Sequence, residues 1–170
     1  MKFNTLFNLS LCSLLMFPPV CAKTTINTYY YSLADQFISR FDIAVQTMAR
    51  TREIEIKSFD ANGDARVQLE HIQRTGSSGN PLLVNLVNVE DAEELLKLTE
   101  KKKNRIIFFN RRPNSSILHS QENIWYVGTN ANAAGKSLFR IVHDYLMLHP
   151  DYDKNHNGTL DLILLKGEQD

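Results

Sequence analysis

Asp153, Asn155, Asn157 and Asp161 place oxygen-bearing side chains at positions 1, 3, 5 and 9 of one short stretch, with Gly158 at position 6 and Leu160 at position 8. A hard divalent cation such as Ca2+ takes six to eight oxygens, so a loop that binds it must curl, and glycine permits the sharp turn at position 6. Thr159, at position 7, would contribute its backbone carbonyl whatever its side chain. Position 12, where a helix-loop-helix calcium site places a bidentate glutamate, is Leu164. The loop thus lacks its strongest ligand and runs into the apolar stretch 160–165, which reads as a buried strand. The alternative is an Asn/Asp/Gly-rich surface turn. A second acidic stretch, Asp60-Ala61-Asn62-Gly63-Asp64, has its glycine at position 4 and reads as a turn.

Stepping along the chain, the first 22 residues read as an export leader rather than as part of the fold. Lys2 supplies a short positive end, 6–20 is apolar, and Val20-Cys21-Ala22 offers cleavage after Ala22. The run is short and broken by Pro18-Pro19, unlike a membrane span. Val20 is a poor fit to the small residue that precedes a lipidated cysteine, so ordinary cleavage is expected. Both cysteines, Cys12 and Cys21, lie in this leader, and the remaining 148 residues must hold together through a core rather than disulfides. Lys2 is the leader's only charge. The mature balance is therefore 18 basic against 19 acidic residues, a net of −1, which favours neither nucleic acid nor an anionic membrane.

From residue 25 the pattern alternates between strand and helix. Strands are expected at 25–31, 53–59, 82–87, 105–109 and 124–127, and helices at 34–51, 64–74, 89–103 and 132–148. In the first helix Phe37, Phe41, Ala44, Val45 and Met48 fall at helical spacing, and in the second Val67, Leu69 and Ile72 are candidate contacts. Lys101-Lys102-Lys103 reads as a solvated helix end that suits the dipole. Residues 75–81, rich in Gly and Ser, read as a loop. The alternation predicts an α/β fold, a parallel sheet with helices on both faces. In such sheets ligands bind beyond the carboxyl ends of the strands, which puts Asp35, Phe37 and Asn110 on one rim. No glycine-rich phosphate cradle follows any strand, and His71, His119, His143, His149 and His156 are scattered without metal-ligand or triad spacing. An enzyme is not expected.

Several of these segments carry a resemblance. Arg105-Ile106-Ile107-Phe108-Phe109-Asn110 with Pro113, Tyr126-Val127-Gly128-Thr129, the calcium-type loop and Leu164-Leu165-Lys166-Gly167-Glu168 are similar to segments of the periplasmic galactose/glucose-binding proteins. Val84-Asn85-Leu86-Val87 resembles the family's third strand and Asp35-Gln36-Phe37 its first loop. The resemblance implies a type I periplasmic-binding-protein fold, two Rossmann-like lobes closing on one hexose, D-galactose or D-glucose. It also implies delivery to an inner-membrane ABC permease, in some bacteria signalling to a chemotaxis receptor, and a Ca2+ site at Asp153, Asn155, Asn157, Thr159 and Asp161. Carried over position by position, Asp35 and Asn110 would bond sugar hydroxyls and Phe37 would stack on the ring. The chemistry agrees: a carboxylate accepts hydroxyl protons, an amide donates and accepts, and a pyranose offers a C–H face to an aromatic. Each also has a plain structural reading, Phe37 as core, Asp35 as a helix-start residue and Asn110 as a turn holder.

By the same resemblance, 23–129 would be most of the first lobe, and 130–170 the start of the second. The family's second-lobe ligands and the glutamate completing its calcium site have no counterparts here, and Trp125 is not the family's second stacking ring. A truncated product is therefore expected. A transcriptional regulator of the same architecture would need a helix-turn-helix where this chain has a leader. A calcium-dependent secreted hydrolase would need a carboxylate pair that the sequence does not offer.

Overall fold

Five runs in which apolar side chains alternate between two faces become the strands of one sheet: β1 (Thr25–Tyr30), β2 (Glu55–Asp60), β3 (Leu82–Val84), β4 (Ile106–Phe109) and β5 (Ile124–Val127). The computed structural model describes residues 23–100, 103–155, 157–159, 163 and 165. The leader, Lys101, Lys102, His156, Asp161, most of the strand expected at 160–165 and the segment 166–170 lie outside the described residues. The strand order is β2-β1-β3-β4-β5 and every pairing is parallel. The register runs from Thr25 opposite Glu55, through Asn27 opposite Leu82 and Leu82 opposite Ile106, to Ile106 opposite Ile124. This is the doubly wound sheet that the strand–helix alternation predicts.

Helices α1 (Gln36–Arg50), α2 (Ala65–Thr75), α3 (Ala92–Thr99), α4 (Ser115–Leu118) and α5 (Ala131–Leu148) connect and follow the strands. The larger core lies under α2 and α3, where Tyr29, Ile72, Leu82, Val84, Leu86, Leu95, Ile106 and Phe108 are buried. A smaller one, Tyr30, Ile38 and Phe109, lies under α1. Four of these helix starts are fixed by a side chain that accepts orphan N–H groups, Asp35 for α1, Asp64 for α2, Asn114 for α4 and Asn130 for α5, whereas α3 follows the 3-10 turn at 89–91 without such a cap.

Three expectations need correction. The strand at 82–87 is paired only over Leu82–Val84, because beyond it the Gln68 side chain takes the ladder's place. Gln68 Nε2 donates to the Asn85 carbonyl (2.9 Å) and Gln68 Oε1 accepts the Val87 N–H (3.0 Å). The helix at 89–103 is a 3-10 turn, Val89–Asp91, followed by α3, which ends at Thr99. The face of α1 is rotated from the one the spacing suggests. Ile38 and Ala49 are buried, whereas Phe37, Ala44 and Met48 are exposed, since the helix presents the stripe one residue on to the sheet. The short α4, within the stretch between β4 and β5, is not expected from sequence at all. The turn at 60–64 is a turn: Asp60 Oδ1 accepts the N–H groups of Leu33 and Asn62, and Gly63 has φ +78°. No residue of α5 is buried.

Candidate functional site

The carboxyl ends of β1, β4 and β5 open onto one rim, and α1 begins there. Asp35 adopts an extended conformation just ahead of α1, which turns its carboxylate back on the helix start. Its Oδ1 accepts the N–H groups of Phe37 (2.7 Å) and Ile38 (3.0 Å). Its Oδ2 accepts the Tyr31 hydroxyl at 2.5 Å. The Tyr31 hydroxyl above all, then the Ile38 and Phe37 N–H groups and the positive charge of Arg111, hold the Asp35 carboxyl below the usual carboxylate range against a smaller desolvation effect.

Capping places Phe37 in the first turn, with its ring outward and 64% exposed. The core reading of Phe37 is thereby excluded. On the other side of the rim Asn110 follows β4 in the left-handed region, φ +62°. Asparagine tolerates that region better than most residues. Its N–H donates to the Val127 carbonyl (3.3 Å), and its carbonyl accepts the Tyr126 hydroxyl (3.0 Å). Gly128 leaves the space this needs: a Cβ there would lie 1.9 Å from the Tyr126 hydroxyl oxygen.

Between the two elements is a cleft of about 230 Å3, lined by Phe37, Phe41, Phe109, Asn110, Val127, Gly128 and Thr129. Its floor is aromatic. Phe41 and Phe109 stack with ring centroids 4.5 Å apart, and Tyr30 meets Phe109 edge-on at 5.9 Å. The arrangement offers an apolar wall, an exposed ring and one amide, the elements that hold the C–H face and hydroxyls of a polyol. The structure brings Phe37 and Asn110 together on this cleft. Asp35 adjoins it through Phe37 but is not part of its lining. Sequence reasoning missed Phe41 and Phe109 as lining residues, and Tyr31 and Arg111 as neighbours of Asp35. The Tyr31–Asp35 spacing of four and the Asn110-Arg111 step out of a strand were the available signals.

The second candidate site follows α5 and a 3-10 turn, Pro150–Tyr152. Asp153 Oδ2 accepts the Gly158 N–H (2.9 Å), Asp153 Oδ1 and Asn155 Oδ1 accept that of Asn157 (3.3 and 3.2 Å), and Asn157 Oδ1 accepts that of Thr159 (2.8 Å). Gly158 has φ +72°, as the turn at position 6 requires. The loop curls so that three side-chain oxygen donors face its interior backbone, which fits the donor pattern of an oxygen-liganded cation in part: Asp153 is the single carboxylate among them. Asp161 lies outside the described residues. Among those residues no group of three or more His, Cys, Asp or Glu could hold a metal ion.

No family model matches the chain. Over 149 residues it is 25% identical to the D-galactose/methyl-galactoside binding periplasmic protein MglB of Haemophilus influenzae, covering 86% of this chain and 45% of that protein. It shares its fold with the periplasmic binding protein component of the arabinose ABC transporter from Shewanella sp. ANA-3, bound to α- and β-L-arabinofuranose (TM-score 0.60, 16% identity, 73% of this chain and 41% of the other). The same holds for the myo-inositol binding protein of Caulobacter, bound to myo-inositol (TM-score 0.58, 14% identity, 75% and 41%). The chain resembles the periplasmic sugar-binding proteins and has their fold. It spans about half the length of the curated relative it matches. The strand-end rim described above is the region where parallel α/β sheets bind ligands.

Proposed function

We propose that this chain is the first lobe, residues 23–129, and the beginning of the second, 130–170, of an exported D-galactose- or D-glucose-binding protein that delivers sugar to an inner-membrane ABC permease and, in chemotactic cells, to a receptor. The observation that carries this reading is the exposed Phe37 ring beside Asn110 on an aromatic-floored cleft beyond the carboxyl ends of β4 and β5. In it Phe37 stacks on the sugar ring, Asn110 donates to and accepts from its hydroxyls, and Asp35 accepts a hydroxyl proton. The leader directs export to the periplasm and is removed after Ala22, which an intact-mass measurement of exported protein checks. A mature chain starting at lipidated Cys21 contradicts it.

The cleft is lined by α1, the carboxyl ends of β4 and β5 and the turns after them. A sugar held there makes a few hydrogen bonds, each about 0.5–1.5 kcal/mol net, and one ring contact of about 1 kcal/mol. Association itself costs about 4 kcal/mol or more. The 170 residues by themselves therefore bind hexose no more tightly than the millimolar range. Calorimetric and Trp125-fluorescence titration with both sugars tests the affinity, and amide NMR at high sugar concentration tests the place. Shifts centred on Phe37 and Asn110 support the reading; shifts elsewhere, or none, end it. Saturable micromolar binding would mean that one wall suffices.

In the same reading Asp153, Asn155, Asn157, Asp161 and the Thr159 carbonyl hold Ca2+, which would fix the loop. Two carboxylates and about five oxygens place the affinity near the millimolar class. Calorimetry that gives micromolar Ca2+ affinity contradicts this.

A further inference from the structure

Capping α1 requires only one oxygen of Asp35, yet both are engaged. Oδ1 serves the helix through the Phe37 and Ile38 N–H groups. Oδ2 receives the Tyr31 hydroxyl at 2.5 Å, the short separation of an O–H donor to an ionised carboxylate. A carboxylate offers about four lone-pair positions. Among the described residues these three donors fill three of them, which leaves one acceptor position, on Oδ2.

Tyr31 is held in turn. The Arg111 guanidinium lies over its ring, with Cζ 4.2 Å from the centroid. Arg111 Nη1 also donates to the Val87 carbonyl, in the chain that leaves β3. A flat, permanently charged guanidinium can stack on a ring and bond a carbonyl at once, which an ammonium does less well. The sequence Val87–Arg111–Tyr31–Asp35 therefore ties together the chain segments leaving β3, β4 and β1.

We propose that Tyr31 and Arg111 are positioning residues of the rim: they fix the direction of the Asp35 carboxylate so that it presents one hydroxyl-accepting position, on Oδ2, to a polyol ligand. The ligand half of this rests on the reading of Asp35 as a sugar contact; the orientation of the carboxylate does not.

The two halves separate in one set of NMR experiments on the full 170-residue chain. The Asp35 carboxyl carbon is followed through an acid titration in the native protein and in Tyr31→Phe, Arg111→Gln and Arg111→Lys. Tyr31→Phe raises the Asp35 midpoint most. Arg111→Gln raises it less, and Arg111→Lys, which keeps the charge, recovers part of the change. If Tyr31→Phe does not fold, Arg111→Gln against Arg111→Lys carries the same comparison. Midpoints that stay at the native value in well-folded variants overturn the positioning role, whatever sugar does. In the second arm D-galactose is added at high concentration. The Asp35 and Asn110 amides both move in the native chain, and in Tyr31→Phe the movement at Asp35 is lost while that at Asn110 persists. Equal movement at Asp35 in both proteins overturns the proposal. No movement at either residue in the native chain refutes the sugar reading and with it the ligand half, while the titration still decides the orientation.

Discussion

On the side of α2 and α3 the sheet presents Leu82, Val84, Ile106, Phe108 and Ile124, all buried, to Ile72, Leu86, Leu95 and Leu96. On the side of α1 the alternate residues of the same strands fare differently. Phe109 is buried beneath Phe41, but Leu83 and Ile107 are only half-buried, Trp125 is 46% exposed and Val127 63%. The strands are parallel and continuous, so backbone pairing is the same for both faces. What differs is the number of helices laid on each: among the described residues α1 alone covers the second face, over the β1 and β2 edge and the carboxyl end of β4. One face thus carries most of the apolar burial that stabilises the fold. The other keeps its β4–β5 end accessible, and there the cleft lies.

The largest effect expected from this contrast comes from paired truncations. Phe108→Ala removes a ring from the sealed face and costs about 3–5 kcal/mol, whereas Trp125→Ala on the open face stays within about 0.5 kcal/mol. Urea unfolding followed by circular dichroism measures both. Comparable losses would mean that the open face is as well packed as the sealed one.

A smaller effect is expected at the seam between sheet and α2. Gln68→Ala leaves the Asn85 carbonyl and the Val87 N–H without their partner, and costs about 1–3 kcal/mol. Hydrogen exchange should quicken at Val87 before it does at Val84, whose strand pairing does not depend on Gln68. Unchanged protection at Val87 would show that the side chain is not what holds the end of β3.

The smallest effect concerns pH and the open side. The folded Asp35 carboxyl titrates below its unfolded value of about 3.9. Its contribution to stability is therefore fully present above that value and is lost as pH falls through the folded midpoint. Asp35→Asn keeps a capping oxygen and removes the charge. The gap between native and variant urea midpoints should be widest near neutral pH and close on acidification. A gap that widens in acid would reverse the sign of the linkage.

Much of the sheet was legible because apolar alternation is dictated by burial. Ile124–Val127 stands where the pattern puts it, and the other strands shift by a residue or two, save the shortened third. The misread features share a cause: each depends on a partner distant in sequence. Phe37-Phe41-Ala44-Met48 and Ile38-Phe41-Val45-Ala49 are both acceptable stripes on an isolated helix, and only the sheet chooses between them. Leu82 to Val87 reads as one strand until Gln68, far upstream, is known to bond its second half. At the candidate site the resemblance supplied Asp35, Phe37 and Asn110, and the rim brings Phe37 and Asn110 onto one cleft. Neither spacing nor composition signals that Arg111 lies over Tyr31, because that contact joins the ends of two strands separated by a third.

The Gln68 side chain has a further consequence, for chemical ageing. Its amide stands in for a peptide group, one donor and one acceptor facing two backbone atoms of the segment just after β3, and it is 3% exposed. Hydrolytic deamidation to glutamate would keep the acceptor for Val87 and replace the donor with an oxygen set against the Asn85 carbonyl. A change of one mass unit would then loosen the end of β3 from within, together with the Val87 carbonyl to which Arg111 is anchored. Burial shields that amide from water, so such a change would require α2 to lift from the sheet first.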